Sequence, residues 1–212
     1  MKTFQEKIWN GKFGKKYIQR NNDNKEFNKR YIKKFGTTKN KINKNFYKYF
    51  KKNFKFLEIG CNVGMQLKII NKSGFKNLYG IDIQQRAINE ARKNLKSNNF
   101  IKNKSNKISF PDNSFDVVLT NDVLIHMNKN ILKSTIKEIY RVSKKFVWCF
   151  EYYSNSRKEI RYRGQKNLLW KDNFSKYFPK SKFKLIKSKK FKYISKNEKG
   201  NIDEMFLLQV IK

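Results

Sequence analysis

Glu58 leads into a glycine-containing turn, and Asp82 closes the next apolar run, 24 positions later (82 − 58 = 24). In a strand, turn, helix, strand unit, glycine lets the backbone come close to a ligand, and the helix N-terminus offers free N–H groups. A carboxylate after the second strand accepts hydrogen bonds from ribose hydroxyls. The spacing of these residues therefore predicts a nucleoside pocket.

The order of residues within the turn separates classes of cofactor. A dinucleotide fingerprint has three glycines as G-x-G-x-x-G, whereas residues 58–64 read acidic-x-Gly-x-Asn-x-Gly. This pattern resembles the first motif of class I methyltransferases, which bind S-adenosylmethionine. The resemblance implies that the turn holds the methionine end of the cofactor and that the later acid holds the ribose. The cofactor-binding residues predicted at these strand ends are Glu58, Gly60, Cys61, Asn62, Gly64, Asp82, Ile83 and Asn121.

A third stretch, residues 110–119, resembles the fourth strand of the same family and the turn before it. Many members of that family place an acid near positions 104 and 105 to hold the adenine amino group. This chain has Lys104-Ser105 instead, so Ser105 or the backbone would have to make that contact. Cys61 is predicted to be a small turn residue rather than a nucleophile, because no neighbouring residue in the sequence would lower its pKa.

Two residues near strand ends could accept a proton from an acceptor hydroxyl. His126 is the only histidine and follows the fourth predicted strand, at the sheet edge where α/β proteins bind ligands. An unperturbed imidazole has a pKa near 6.5, which suits general base catalysis. Glu151 ends the fifth predicted strand at the same edge and could act as a base or a substrate clamp. A structural role for either residue stays open at this point.

Arginine and tyrosine are concentrated in residues 151–164, which hold three of the eight arginines. A planar guanidinium matches carboxylate or phosphate, and tyrosine stacks on sugars or bases. The segment therefore predicts a site for an anionic substrate, although a basic surface loop is the alternative. The predicted substrate-binding residues are Tyr152, Tyr153, Arg161, Tyr162 and Arg163.

Residues 9–21, 123–126 and 151–164 together resemble the methyltransferases associated with pseudaminic acid biosynthesis. This resemblance spans nearly the whole chain and implies an acidic sugar, or its nucleotide-activated form, as the methyl acceptor. The mixture of aromatic residues and glycines in residues 9–21 suggests a lid over the cofactor, with Tyr17 and Arg20 as contacts.

The elements that must position these residues alternate between strand and helix. Strands are predicted at 54–59, 77–83, 100–103, 115–120, 146–151, 183–186 and 205–211, and helices at 65–72, 85–96 and 130–142. Such alternation favours a mostly parallel Rossmann-like α/β sheet with helices on both faces and a C-terminal antiparallel strand. Residues 1–53 are predicted to be a helical cap, with helices from 25 to about 52, that belongs to one domain with the core at 54–212.

The composition narrows the class of protein. The chain has 212 residues and a net charge of +35, carried by 43 lysines and eight arginines (51 − 8 = 43). No run approaches the roughly 18 apolar residues of a membrane span, and the first residues lack the apolar core of a signal peptide. Two cysteines give neither a disulfide framework nor a metal site, so no metal is expected and a cytoplasmic location is the default.

The charge leaves nucleic acid open as a second class of substrate. Lysine binds phosphate without reading sequence, but its even spread along the chain fits a biased composition as well as a function. The chain lacks the proline-containing motif of base amino methylation and the Pro-Cys pair of cytosine C5 chemistry, so both reactions are disfavoured. An RNA methyltransferase and a non-catalytic cofactor-binding module remain the alternatives.

Overall fold

The computed structural model describes residues 3–21 and 23–212, so residues 1, 2 and 22 of the predicted cap lie outside the description. Within the described residues, a seven-stranded sheet has the order β3-β2-β1-β4-β5-β9-β8, and β6 pairs with β7 in a small separate hairpin. The strands are β1 (Phe56–Ile59), β2 (Leu78–Asp82), β3 (Phe100–Lys102), β4 (Phe115–Asn121), β5 (Ser143–Tyr152), β6 (Lys158–Glu159), β7 (Trp170–Lys171), β8 (Phe183–Lys192) and β9 (Ile202–Val210).

The first five strands of the large sheet run parallel, and β9 and β8 are antiparallel to their neighbours. This confirms the predicted fold class. The chain order reverses between β1 and β4, and ligands bind at such switch points outside the carboxyl ends of the strands. The sheet thus brings the ends of β1, β2 and β4 together at one edge.

Buried residues on alternate positions of the strands form a core on each face of the sheet. Seven helices surround it in the described part of the chain: α1 (Phe4–Asn10), α2 (Lys12–Asn21), α3 (Asn24–Phe35), α4 (Lys39–Tyr47), α5 (Met65–Lys72), α6 (Gln85–Leu95) and α7 (Lys129–Val142). Leu57 and Val118 pack on the face that α7 covers, whereas Phe56 and Trp148 pack on the face covered by α4, α5 and α6. Helices therefore lie on both faces, as predicted.

The N-terminal segment is more regular than its sequence pattern indicated. Thr3 and Glu6 form a capping box that starts α1, and Gly11 ends it. The prediction of a helix reaching residue 52 was wrong, because α4 stops at Tyr47 and the chain continues in tight turns closed by the N–H groups of Tyr49 and Phe50. The division into a cap at 1–53 and a core at 54–212 stays a prediction.

The C-terminal strands are longer than the apolar runs that predicted them. β8 continues to Lys192 through a lysine-rich stretch that has no apolar alternation, and β9 begins at Ile202. None of the described helices has the length and apolar character needed to cross a membrane.

Candidate cofactor and acceptor site

A cavity lies at the carboxyl edge of the parallel strands. Its walls come from the ends of β1, β2 and β4, from the loop at 103–106, and from the N-terminal helices. The lining includes most of the predicted cofactor residues, namely Glu58, Gly60, Cys61, Asn62, Asp82, Ile83, Ser105, Asn121 and Tyr17, together with His126. The fold therefore gathers lining residues that are up to 128 positions apart in sequence (131 − 3 = 128).

The glycine turn after β1 takes a shape that side chains rarely allow. Gly60 has a φ of +66°, and a Cβ at that position would lie 2.7 Å from Val123 Cγ2. Asn62 also adopts a positive φ, of 48°, which asparagine tolerates better than most residues. Gly64 immediately precedes α5. The turn is thus held close to the loop after β4, with its backbone exposed to the cavity.

Asp82 is joined directly to this turn. Its two carboxylate oxygens accept hydrogen bonds from the backbone N–H of Asn62 (3.0 Å) and of Gln84 (2.9 Å). Burial raises the pKa of Asp82 to about 6, and the two N–H donors oppose that rise. The carboxylate is therefore ionised at neutral pH and faces the cavity, with Ile83 beside it.

Several buried oxygens around the cavity have no hydrogen-bond partner among the described residues. They are Glu58 Oε2, Asn62 Oδ1, Asn121 Oδ1 and Asp122 Oδ1. Buried polar atoms are nearly always paired in folded proteins, so this group of acceptors fits a ligand that brings donors. Cys61 is buried nearby, and burial raises the pKa of its thiol well above the usual range, which disfavours a nucleophilic role.

Ser105 lines the cavity at the end formed by the loop at 103–106. Its hydroxyl is 3.0 Å from that of Thr135, and Asn103 and Asn106 line the cavity beside it. Lys104 forms an ion pair of 2.8 Å with Glu6 of α1. This end of the cavity therefore contains amide and hydroxyl groups in place of the acid that the resemblance would imply.

Helices α1 and α2 cover the cavity. Trp9 and Tyr17 line it and meet edge to face, with ring centroids 5.1 Å apart. The two helices pack tightly, since a Cβ on Gly14 would lie 1.7 Å from the Trp9 carbonyl oxygen. Arg20 does not line the cavity, and its guanidinium lies 5.5 Å from the centre of the Tyr17 ring.

His126 points one ring nitrogen away from the cavity. Its Nδ1 lies 2.6 Å from the carbonyl oxygen of Leu168, which can only accept a hydrogen bond, so Nδ1 carries the proton in the neutral ring. Burial lowers the pKa of His126 to about 4. The imidazole is therefore neutral at pH 7, and Nε2 retains a lone pair. The ring packs 4.7 Å from Trp9.

Glu151 lies beneath the loop that carries His126, outside the cavity lining. Its carboxylate accepts from the N–H of Val123 (3.0 Å) and of Ile125 (3.4 Å). Burial raises its pKa to about 8. This geometry fits a residue that holds the loop in position, in contrast to the predicted base at the cavity surface.

The predicted substrate residues are spread over three places. Tyr152 accepts a hydrogen bond from Lys34 at 3.2 Å, and Tyr153 donates to Asn155 at 2.7 Å. Tyr162 contacts a residue of the cavity lining, with its ring 5.6 Å from that of His126. Arg161 and Arg163 flank it as exposed residues at the tip of the β6–β7 hairpin.

Asp122 is a site residue that the sequence analysis missed. It lines the cavity, it has a positive φ of 55°, and its buried Oδ1 has no partner among the described residues. Strained backbone of this kind is concentrated at functional sites. The available signal was a second polar residue directly after the β4 pattern. Trp9 and Phe27 also line the cavity, although the sequence pattern marked Phe27 only as an apolar position of a predicted helix.

No group of three or more His, Cys, Asp or Glu side chains in the described parts of the chain could hold a metal ion. The cavity instead combines a ribose-type carboxylate, an open glycine turn and unpaired acceptors. These features fit S-adenosylmethionine, whose ribose hydroxyls and ammonium group are hydrogen-bond donors.

The comparisons with known proteins agree with this geometry. Residues 57–150 match the protein family described as "Methyltransferase domain". A phosphoethanolamine N-methyltransferase of Plasmodium falciparum is 28% identical over 142 residues, which cover 63% of this chain and 48% of that protein. The chain spans less than half the length of the curated relatives it matches.

Solved structures show the same fold across most of the chain. A protein of Pyrococcus horikoshii OT3 superposes with a TM-score of 0.69 at 21% identity, covering 92% of this chain and 99% of that one. Magnesium protoporphyrin IX methyltransferase of Synechocystis PCC 6803, solved with bound SAH, gives a TM-score of 0.69 at 12% identity and covers 96% and 97%. Residues 57–150 of this chain therefore match the methyltransferase domain family in sequence, and the chain shares the fold of these solved structures.

Proposed function

We propose that the protein transfers the methyl group of S-adenosylmethionine to a small acceptor that binds beneath α1 and α2. The observation that carries this proposal is the joining of the glycine turn to the carboxylate of Asp82 through the Asn62 N–H. A nucleoside ligand at this edge meets the exposed turn backbone and the ribose-binding acid at the same time.

Each part of the cavity has a task in this reaction. The cofactor supplies an activated methyl group when bound, so the chain mainly has to align the acceptor and exclude water. Asp82 accepts hydrogen bonds from the ribose hydroxyls, while the carboxyl groups of Glu58 and Asp122 face the positively charged groups of the cofactor. Trp9 and Tyr17 close the cavity from above. Arg20, which contacts Tyr17 from outside, supports the lid rather than the ligand.

His126 is the group placed to take the proton of the acceptor. The bound cofactor would supply the activated methyl group to the acceptor, and Nε2 of His126 would take the proton that the acceptor releases. Because Leu168 fixes the proton on Nδ1, Nε2 is the only ring nitrogen that can accept. The low pKa of His126 makes it a weak base, which suits an acceptor that loses its proton late in the reaction.

For the acceptor we propose an acidic sugar of the nonulosonic type, or its nucleotide-activated form, used in surface glycan synthesis in the cytoplasm. The resemblance to methyltransferases of pseudaminic acid biosynthesis supports this choice. Arg163 also supports it: the residue sits in the hairpin turn with a φ of +50°, where asparagine or glycine is favoured. In our proposal the guanidinium of this strained arginine binds an anionic group near Tyr162.

A nitrogen acceptor is a second candidate, and one observation favours it. The cavity lining contains Glu6, Glu58, Asp82 and Asp122 but one basic residue, Lys104, which is paired with Glu6. In a chain with 51 basic and 16 acidic residues, such a lining attracts cations. The similarity to a phosphoethanolamine N-methyltransferase is consistent with an amine acceptor.

Two measurements test the proposal. Calorimetry with S-adenosylhomocysteine on the wild type and on Asp82→Ala tests the cofactor site, and release of S-adenosylhomocysteine from S-adenosylmethionine tests turnover. The acceptors to be assayed are nonulosonic acids, their nucleotide-activated forms, small amines and RNA. Turnover on an acidic sugar, with a raised KM for that sugar in Arg163→Ala, supports the first candidate. Turnover on amines or RNA alone would replace it, and binding without turnover on any acceptor would point to a non-catalytic module.

A further inference from the structure

Arg157 contacts the backbone of the loop that carries His126. Its side chain is 14% exposed, and its Nη2 donates a hydrogen bond of 2.8 Å to the carbonyl oxygen of Met127, the residue after His126. This carbonyl lies at the C-terminal end of the one-turn helix Leu124–His126, where backbone carbonyl groups lack partners within the helix. A charged donor makes a stronger hydrogen bond than a neutral one. Arg157 therefore fixes the end of the loop.

Residues of the β6–β7 hairpin and of the turn after it hold Arg157 in place. Its Nη1 lies 3.7 Å from Oδ2 of Asp172, whose side chain is fully buried, and its guanidinium lies 4.7 Å from the centre of the Trp170 ring. Asp172 also pairs with Lys176 at 2.7 Å and accepts from the Tyr177 hydroxyl at 2.5 Å. The carboxylate therefore keeps partners when Arg157 is replaced, so the substitution leaves no unpaired buried charge.

The ring of His126 is anchored on the same hairpin. Its Nδ1 lies 2.6 Å from the carbonyl oxygen of Leu168, which precedes β7, and its ring centre lies 5.6 Å from that of Tyr162 at the hairpin tip. The backbone of the loop and the imidazole are thus tied to one element by two separate hydrogen bonds. Contacts that join the same two elements depend on each other, so loss of the Arg157 contact should loosen the contact with Leu168.

The start of the loop is held independently. The carboxylate of Glu151 accepts hydrogen bonds from the N–H groups of Val123 and Ile125, whereas Arg157 donates to the carbonyl that follows His126. The short helix is thus fixed by an acid at its N–H end and by a base at its carbonyl end. Removing the guanidinium leaves the first of these anchors in place, so we expect the loop to shift without unfolding.

We infer that Arg157 is a positioning residue for His126: by holding the Met127 carbonyl it keeps the imidazole against Leu168, with the proton on Nδ1 and the lone pair on Nε2. The consequence for methyl transfer rests on the proposed function, in which Nε2 takes the proton of the acceptor. The placement of the ring can be measured without an acceptor. The hairpin that carries Arg163 at its tip then also places the base.

The test is nitrogen-15 NMR of the imidazole at pH 7, in protein without a histidine tag. His126 is the only histidine, so its two ring nitrogens are assigned directly, and their chemical shifts give the ratio of the two neutral tautomers. Arg157→Met keeps a side chain that packs on Trp170 but removes the donor. We expect the ratio of the Nδ1–H to the Nε2–H tautomer to fall about fivefold or more, the equivalent of one hydrogen bond.

Two further variants complete the comparison. Arg157→Lys retains a donor and a positive charge, so it should restore most of the wild-type ratio. Lys158→Met removes an exposed lysine from the next position and should leave the ratio unchanged. A wild-type ratio in a folded Arg157→Met protein would overturn the inference. So would an Arg157→Lys protein no closer to the wild type than Arg157→Met, or an equal fall in Lys158→Met.

Arg157→Gln covers the case in which Arg157→Met does not fold. Glutamine is polar, but its amide ends well short of the position of Nη2 and cannot reach the Met127 carbonyl. We expect the same direction of change in the tautomer ratio, and an unchanged ratio in the folded variant would contradict the role of Arg157.

Calorimetry and kinetics separate this inference from the proposed function. Arg157 lies outside the cavity lining, so Arg157→Met should bind S-adenosylhomocysteine within about twofold of the wild type. With any assayed acceptor that the wild type methylates, kcat should fall about tenfold at a KM that stays within about twofold. An unchanged kcat beside a lowered tautomer ratio would overturn the catalytic part. A wild type that methylates no acceptor would overturn the proposed function and leave the tautomer result standing.

Discussion

On the proposed function, the cavity has a cofactor half and an acceptor half, and the two are built in different ways. The cofactor half comes from the ends of β1 and β2, where the backbone N–H of Asn62 donates to the side-chain carboxylate of Asp82, 20 residues away. The acceptor half comes from segments far apart in sequence. Gln5 of α1 donates to the Asn167 carbonyl oxygen, 162 residues away, and accepts from Asn128.

The geometry of the cofactor half is therefore determined by the fold, whereas the geometry of the acceptor half is determined by contacts between side chains. Strand pairing fixes the cofactor half, which therefore shares its geometry with many proteins of the same fold. The acceptor half depends on a few contacts between α1, α2, the His126 loop and the β6–β7 hairpin, such as the edge-to-face pair of Phe13 and Tyr162. Substrate choice can change there without disturbing the sheet.

The sharpest test of the division is His126→Asn. An asparagine amide can still donate to the Leu168 carbonyl oxygen, but it provides no base. We expect kcat to fall about 1000-fold, while the affinity for S-adenosylhomocysteine stays within about threefold. Steady-state kinetics and calorimetry measure the two effects. A kcat within tenfold of the wild type would remove His126 from the chemistry.

For Asp82→Ala we expect the affinity for S-adenosylhomocysteine to change. Loss of the ribose acceptor also frees the N–H groups of Asn62 and Gln84, so we expect the affinity for S-adenosylhomocysteine to fall about 100-fold, or roughly 2.7 kcal/mol. Asp82→Asn retains one acceptor oxygen, so its affinity for S-adenosylhomocysteine should lie between those of the wild type and of Asp82→Ala. If both variants bound like the wild type, the cofactor half would lie elsewhere.

Trp9→Ala tests whether the two halves share a cover. Trp9 contacts both Tyr17 and His126, so truncation opens the cavity above both ligands. We expect about a tenfold loss of affinity for S-adenosylhomocysteine, which corresponds to losing part of one buried aromatic contact. Phe4→Ala is the control, because Phe4 lies on the same helix and its side chain is exposed. Equal effects of the two substitutions would speak against a lid.

Acid pH should weaken the cofactor half selectively. The pKa of Asp82 is raised to about 6, so the carboxylate is ionised above that pH and gains a proton below it. We expect the affinity for S-adenosylhomocysteine to fall about threefold between pH 7 and pH 5.5. Asp82→Asn should show a smaller fall over the same range in calorimetry, since residue 82 then no longer titrates.

A modest effect is expected at the hairpin tip. Glycine accepts the positive φ of residue 163 without strain, so Arg163→Gly should leave the free energy of unfolding unchanged or raise it by up to about 1 kcal/mol. The KM for an acidic acceptor should nevertheless rise about threefold to tenfold, because a charge-assisted contact is lost. Lys166→Gly, at an exposed position of the same hairpin, should leave KM unchanged. An unchanged KM in Arg163→Gly would show that the hairpin tip does not bind the acceptor.

The sequence predicted the cofactor half better than the acceptor half for a physical reason. Glu58, the glycine turn and Asp82 belong to one strand, turn, helix, strand unit, so their spacing along the chain determines their spacing in space. The position of Glu151 could not be read in this way. The sequence indicated that Glu151 lies at a strand end. Only the fold shows that its carboxylate accepts hydrogen bonds from the backbone N–H groups of Val123 and Ile125.

Asp122 and Lys39 are two further residues whose structural features the sequence alone does not reveal. Asp122 stands beside the predicted Asn121, and its functional mark is a backbone angle that the sequence does not display. Lys39 is one of 43 lysines (51 − 8 = 43), and nothing in its neighbourhood in the sequence separates it from the exposed ones. Burial distinguishes it, and burial here depends on Phe150, which lies 111 positions away (150 − 39 = 111).

Strand β8 lies at the outer end of the large sheet and carries five lysines, at positions 184, 187, 189, 190 and 192. An outer strand can add strands from another molecule, and repulsion between like charges opposes that addition. The range of this repulsion falls from about 10 Å at 0.1 M salt to about 3 Å at 1 M. We therefore expect concentrated salt to promote self-association of the protein through this strand, an outcome that light scattering across a salt series would register.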